Sequence, residues 1–173
     1  MGEFGGWEVP MLYESALKEH NIVRNDAGVF DVSHMGRVSI RGPDAIDFIN
    51  LVCTKNVAKT KEYWMSGPTL ILNQWARVKD DEMFYRVSDE QWYVVVNAPY
   101  REKMLNYYRE IIKSRGFKVE IEDLTFKYAM LAIQGPKVEE VFEKAGSGWV
   151  NDLHTLEFRT DAVSYTHLTL PTN

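Results

Sequence analysis

The chain has 173 residues, 45% of them hydrophobic and 26% charged, with five Trp, nine Tyr and eight Phe. This composition supports a packed core, with one domain as the default for the length, and excludes intrinsic disorder, collagen-like repeats and coiled-coil rods. The 25 acidic side chains against 20 basic ones leave a formal charge of −5, which argues against nucleic acid as a partner. The single cysteine, Cys53, and four scattered histidines offer neither an internal disulfide nor a zinc-type cluster, so no metal site is expected and a reducing compartment fits. No apolar run approaches the roughly 20 residues that span a bilayer. Met1-Gly2-Glu3-Phe4 lacks the basic and apolar regions of a signal peptide. A soluble cytoplasmic protein without a membrane partner is expected.

Phe4 to Pro10 is Gly-rich and aromatic and reads as a loop. Leu17, Ile22 and Val23 fall close to one stripe among charged neighbours, which predicts a helix over about 13–24. Val29–Val32 and Arg37–Arg41 read as short strands parted by a turn at Met35-Gly36. Pro43 stands at a natural first helical position, and Ile46, Phe48, Ile49 and Val52 supply the apolar stripe of a helix ending near Cys53. Beyond the lysine-rich segment Lys55–Glu62 come strand patterns at about 69–73, 78–87 and 92–97, with Ser88–Gln91 as a hairpin connection. Pro99 opens a further helix carrying Met104, Leu105, Tyr108, Ile111 and Ile112, with Gly116 as its C-terminal cap. Lys118–Glu122 alternates, Tyr128–Ile133 is continuously apolar, and Gly135-Pro136 starts a last helix stopped by Gly146-Ser147-Gly148. This order predicts an α+β fold, an antiparallel sheet with helices packed on one face.

Asp80-Asp81 is the most informative pair. Successive strand residues point to opposite faces, so the two carboxylates cannot form a close acid/base dyad. Asp81 shares its face with Met83, Tyr85 and Val87, and Asp80 shares the other with Glu82, Phe84 and Arg86. A carboxylate heading an apolar face needs a donor, a cation or a ligand, which favours Asp81 as the functional member. The structural alternative pairs Asp81 with Lys79 or caps it by backbone. Asn97 ends the next strand on the face of Tyr93 and Val95, and its amide suits the edge of a heterocycle; alternatively it caps the helix opened by Pro99. Asp31, Ser33 and His34 invite comparison with a catalytic triad, but adjacency is not triad geometry and no nucleophile elbow is present, so a turn bonded to backbone is expected. Cys53 lies on an apolar stripe and reads as a buried small hydrophobe. Trp7, Trp64, Trp75 and Trp92 read as core and surface anchors before ligand stackers.

Six blocks in order then carry a resemblance: Phe4-Gly5-Gly6-Trp7-Glu8-Val9-Pro10; Glu19-His20 with Val23-Arg24; Gly28 through Gly36; Lys79-Asp80-Asp81; Val95-Val96-Asn97-Ala98; and Leu131-Ala132-Ile133-Gln134-Gly135-Pro136. Together they resemble the N-terminal part of the glycine cleavage system T-protein family, the tetrahydrofolate-dependent aminomethyltransferases. The resemblance implies the folate-binding fold of that family, and transfer of an aminomethyl group from the lipoyl arm of H-protein to tetrahydrofolate, giving 5,10-methylenetetrahydrofolate and ammonia. It implies Asp81 as the catalytic carboxylate and Met35, Met83, Tyr85 and Asn97 as pterin contacts.

On this reading residues 1–148 are a truncated folate-binding region and 149–162 a partial connector, while 163–173 resembles translated cloning or adaptor sequence and is expected to be foreign. The chain alone is expected to be inactive, and the location mitochondrial only if a transit segment is missing. Two departures stand out: Asn73-Gln74-Trp75-Ala76-Arg77 replaces the family's Asn-x-x-Gly-Gly-like turn, and Pro68 stands where a tyrosine is common. A folate-dependent demethylase and a non-catalytic folate-binding protein of the iron–sulfur maintenance type are the alternatives.

Overall fold

The computed structural model describes residues 1–161 and the backbone of His167 and Leu168. The expected foreign tail, 163–173, otherwise lies outside the described residues. Two units divide the chain: Met35–Tyr128 is one, and Met1–His34 with the segment beginning at Ala129 is the other.

The second of these opens with a hairpin, β1 (Gly2–Phe4) against β2 (Trp7–Val9), where a loop was expected. Gly5 and Gly6 adopt φ of 58° and 83°, the pair of positive angles that a tight two-residue turn of matching twist requires. Three-residue strands are too short for alternation to show. Helix α1 (Ala16–Asn25) contains the expected stripe but starts later than the expected 13. The Ser15 hydroxyl accepts from Lys18 N–H, and Glu19 Oε1 accepts from the backbone N–H groups of Tyr13, Glu14 and Ser15 at 2.8–3.1 Å, so the cap sits at Ser15. Strand β3 (Gly28–Asp31) pairs with β9 (Leu131–Gln134), far away in sequence.

The unit Met35–Tyr128 contains β4 (Gly36–Arg41), α2 (Ala45–Val52), β5 (Trp64–Leu72), β6 (Val78–Arg86), β7 (Gln91–Val96), α3 (Arg101–Arg115) and β8 (Glu120–Asp123). Its sheet is antiparallel in the order β5-β6-β7-β4-β8. Strand β5 begins five residues before the expected 69, because a register shift between Met65 and Pro68 breaks its alternation. Pro68 is tolerated there because β5 is an edge strand. Val38 and Ile40 of β4, Ile71 of β5, Phe84 of β6, and Trp92, Val94 and Val96 of β7 face Phe48, Ile49, Met104, Leu105 and Tyr108 of α2 and α3 in one buried cluster. The helices thus cover a single face, as expected. Each such side chain contributes ~1.5–3 kcal/mol of transfer free energy. Gly116, at φ 72°, caps α3, and its N–H bonds Ile112 O. After β9, α4 (Val138–Lys144) follows the Gly135-Pro136 signal.

Candidate functional site

The antiparallel register decides which residues share the sheet face opposite the helices. Met83 lies opposite Val95, and Tyr85 opposite Tyr93, on β6 and β7; Arg37 on β4 lies opposite Val95. Directly opposed residues project to the same side. Asp81, Met83 and Tyr85 therefore share this face with Tyr93, Val95 and, one step past β7, Asn97. Met35 directly precedes Gly36, the partner of Val96, and so adjoins the same end of the sheet. All five residues selected by sequence belong to three neighbouring strands or their ends.

Asp81 and Asn97 are in contact. Asn97 Nδ2 lies 3.0 Å from Asp81 Oδ1, 3.0 Å from Asp81 O and 2.8 Å from Asp80 Oδ1, and Asn97 N donates to Asp80 Oδ2 at 3.2 Å. The expectation of opposite faces holds for the two aspartates: Asp81 is exposed, whereas Asp80 is 3% exposed on the helix-covered side. What the strand pattern could not show is that Asn97, at a strand end, reaches around to both. Its side chain makes no capping bond to the turn at Ala98–Tyr100, and the Lys79 ammonium lies over the Tyr107 ring at 4.4 Å.

Burial pushes the Asp80 carboxyl up from its ordinary value, and the N–H groups of Asn97 and Asp81 work against that rise. Two residues on, Glu82 is buried on the same side, receives the Tyr108 hydroxyl, and is pushed up to about 8 by loss of solvent. Neither Asp80 nor Glu82 was selected from sequence. The signal available was two carboxylates alternating onto the face of Phe84.

Met83 is half-buried, and Tyr85 is fully buried about 13 Å along the strand from Asp81; burial holds its phenol protonated. Tyr85 therefore lies away from the Asp81 end. Two clefts, of about 670 Å³ beside α1 and about 310 Å³ around Lys59 and Trp64, include none of the five residues.

The Asp31–Gly36 block forms the expected turn. Ser33 N–H donates to Asp31 Oδ1 at 2.9 Å, and Ser33 Oγ accepts from Met130 N at 2.9 Å, while the His34 ring packs edge-on against Phe4. Cys53 is buried, and burial pushes its thiol up. Among the described residues no three His, Cys, Asp or Glu side chains gather to hold a metal, and no helix is long and apolar enough to cross a membrane.

Comparisons with known proteins agree with this fold and supply the family. A family model described as the GCVT N-terminal domain matches residues 1–170, and the chain belongs to that family. A relative from Aeropyrum pernix named "Probable aminomethyltransferase" is 52% identical over 161 residues, covering 93% of this chain and 43% of the relative. An aminomethyltransferase from a Thermoanaerobacter species is 41% identical over 143 residues, covering 82% of this chain and 38% of that protein. The crystal structure of glycine cleavage system aminomethyltransferase T from Bartonella henselae superposes with a TM-score of 0.83 at 29% identity, over 91% of this chain and 42% of that one. The chain thus spans about two fifths of the length of these proteins.

Proposed function

We propose that this chain forms the folate-binding and proton-handling face of a glycine cleavage aminomethyltransferase, which takes the aminomethyl group from lipoylated H-protein, releases ammonia and delivers the one-carbon unit to tetrahydrofolate. The observation that carries the proposal is the Asp81 carboxylate, exposed at the head of the face bearing Met83 and held by the Asn97 amide at 3.0 Å. These residues fit the group: Met83 and Val95 offer apolar surface to a flat ring, and the Asp–Asn cluster offers polar groups at one end to orient it. Met35 adjoins that end.

Tetrahydrofolate, when bound, supplies the nitrogen that accepts the one-carbon unit. Asp81 accepts a proton or hydrogen bond where positive charge develops, at the attacking nitrogen or the departing amine. Asn97 holds that carboxylate in one orientation, which lowers the entropy lost on reaching the reactive geometry. Tyr85, buried along the same face, contributes shape to the floor beyond the ring.

The test is Asp81→Asn in a chimera that follows residues 1–161 with the remainder of the Aeropyrum pernix relative. Tetrahydrofolate affinity should be kept within about threefold while transfer from aminomethylated H-protein falls by about 10²-fold or more. Undiminished turnover would overturn the role of Asp81.

A further inference from the structure

Asn97 carries one amide with two faces of opposite polarity, and the structure leaves no choice about which way it points. Its Nδ2 meets three oxygens, Asp80 Oδ1, Asp81 O and Asp81 Oδ1, at 2.8–3.0 Å. A backbone carbonyl accepts only, and so does an ionised carboxylate. A flipped amide would bring Oδ1 against those same oxygens. Asp80 supplies the shortest of the three contacts from a side chain that is 3% exposed, and its second oxygen takes the Asn97 backbone N–H at 3.2 Å. Two bonds from one buried carboxylate thus grip both the backbone and the side chain of a single residue. Asn97 Oδ1 accepts no hydrogen bond among the described residues, and the residue is only partly buried.

We infer that Asp80 is a positioning residue that locks the Asn97 amide with Nδ2 inward and Oδ1 outward, so that the site offers an acceptor to a ligand N–H and a fixed Asp81 carboxylate beside it. The inference deepens the folate reading and rests on it for the identity of the ligand, but not for the lock itself. Asp80 touches no ligand; it acts through Asn97. A ligand ring presenting an N–H or amino group toward Asn97 is accepted, and one presenting a ring acceptor there is rejected, because two acceptors would face each other. The titratable neighbours of Asp80 are Asp81 and Glu82 on its own strand and Tyr108 from α3.

The lock is tested on the 15N-labelled chain by following the assigned Asn97 side-chain amide. In the native chain at pH 7 both Nδ2 protons should be protected from exchange, and acidification should move their signals in a step that survives Asp81→Asn and disappears in Asp80→Asn. The same Asp80→Asn variant should bind tetrahydrofolate roughly tenfold or more weakly, the effect of losing a charge-assisted bond, with the backbone amide spectrum of β6 and β7 kept. Asn97 signals indifferent to acidification in the native chain, or still protected in Asp80→Asn, would overturn the lock whatever the folding of the variant. If the native chain shows the lock but no response to tetrahydrofolate, the folate reading fails and the positioning role of Asp80 stands.

Discussion

Replacing Glu82 by Gln is expected to reverse its sign of effect across the physiological pH range. Glu82 is 2% exposed, its Oε2 receives the Tyr108 hydroxyl, and its Oε1 has no hydrogen-bond partner among the described residues. Burial raises its pKa from 4.5 to about 8. Because the folded value lies above the unfolded one, the folded chain holds the proton more tightly. That stabilisation is complete below about pH 4.5 and is lost as pH rises toward 8, at ~1.4 kcal/mol per pH unit. The span from 4.5 to about 8 is thus worth ~5 kcal/mol.

Gln removes this loss but places amide donors where Oε1 stands unpartnered, at a cost of ~1–3 kcal/mol. Glu82→Gln should therefore be less stable than the native chain at pH 5 by ~0.5–2 kcal/mol and more stable at pH 8 by ~2–4 kcal/mol. Urea unfolding followed by Trp fluorescence at four pH values reads both curves, with Trp92 reporting from the core cluster. Parallel stability curves for the two chains from pH 5 to 8 would refute the assignment of a protonated Glu82.

Ala76 adopts φ 57° in a turn where Asn73 Oδ1 accepts from the N–H groups of Trp75 and Arg77 at 3.0 Å. Ala76→Gly should relieve the left-handed strain and stabilise the chain by ~0.5–1 kcal/mol, seen as a rise in the urea midpoint with unchanged slope. The Cys53 thiol, buried and pushed up by burial, should resist a thiol-disulfide exchange reagent at pH 7.5 for as long as the chain stays folded and react with one equivalent once urea is added.

The strands and helices that carry long apolar patterns were legible. The stripes on α2 and α3 depend on local spacing, and Phe48, Ile49, Val52, Met104, Leu105 and Tyr108 all lie in the core cluster, whereas β6 gives that cluster only Phe84, from the face opposite the one bearing Asp81. The hairpin β1–β2 was not, because three residues are too few for period two to register and its signal lies entirely in Gly5-Gly6. Strand β5 was half legible, since a bulge near Pro68 interrupts the alternation that betrays the rest.

At the site, strand parity separated Asp80 from Asp81 correctly. Parity says nothing about a side chain that turns back over a strand end, as Asn97 does. That β4 sits between β7 and β8 could not be read from local pattern either, because register across the sheet is set by partners 50 or more residues away.

That strand order has a kinetic consequence. The segment β5-β6-β7 is a meander whose turns, Asn73–Arg77 and Ser88–Gln91, close short loops, whereas β4 must return from upstream to pair with β7 and then accept β8. Short loops close at little entropic cost and long ones later, so the meander is expected to form first and β4 to dock second. Asp81 and Asn97 therefore meet early, within the meander. Met35, carried in by β4, arrives only when the sheet is completed. A folding chain halted before that step would already hold the carboxylate and its amide but lack one wall of the proposed ring slot, so ligand competence should lag behind protection of the β6–β7 amides in a pulsed hydrogen-exchange experiment.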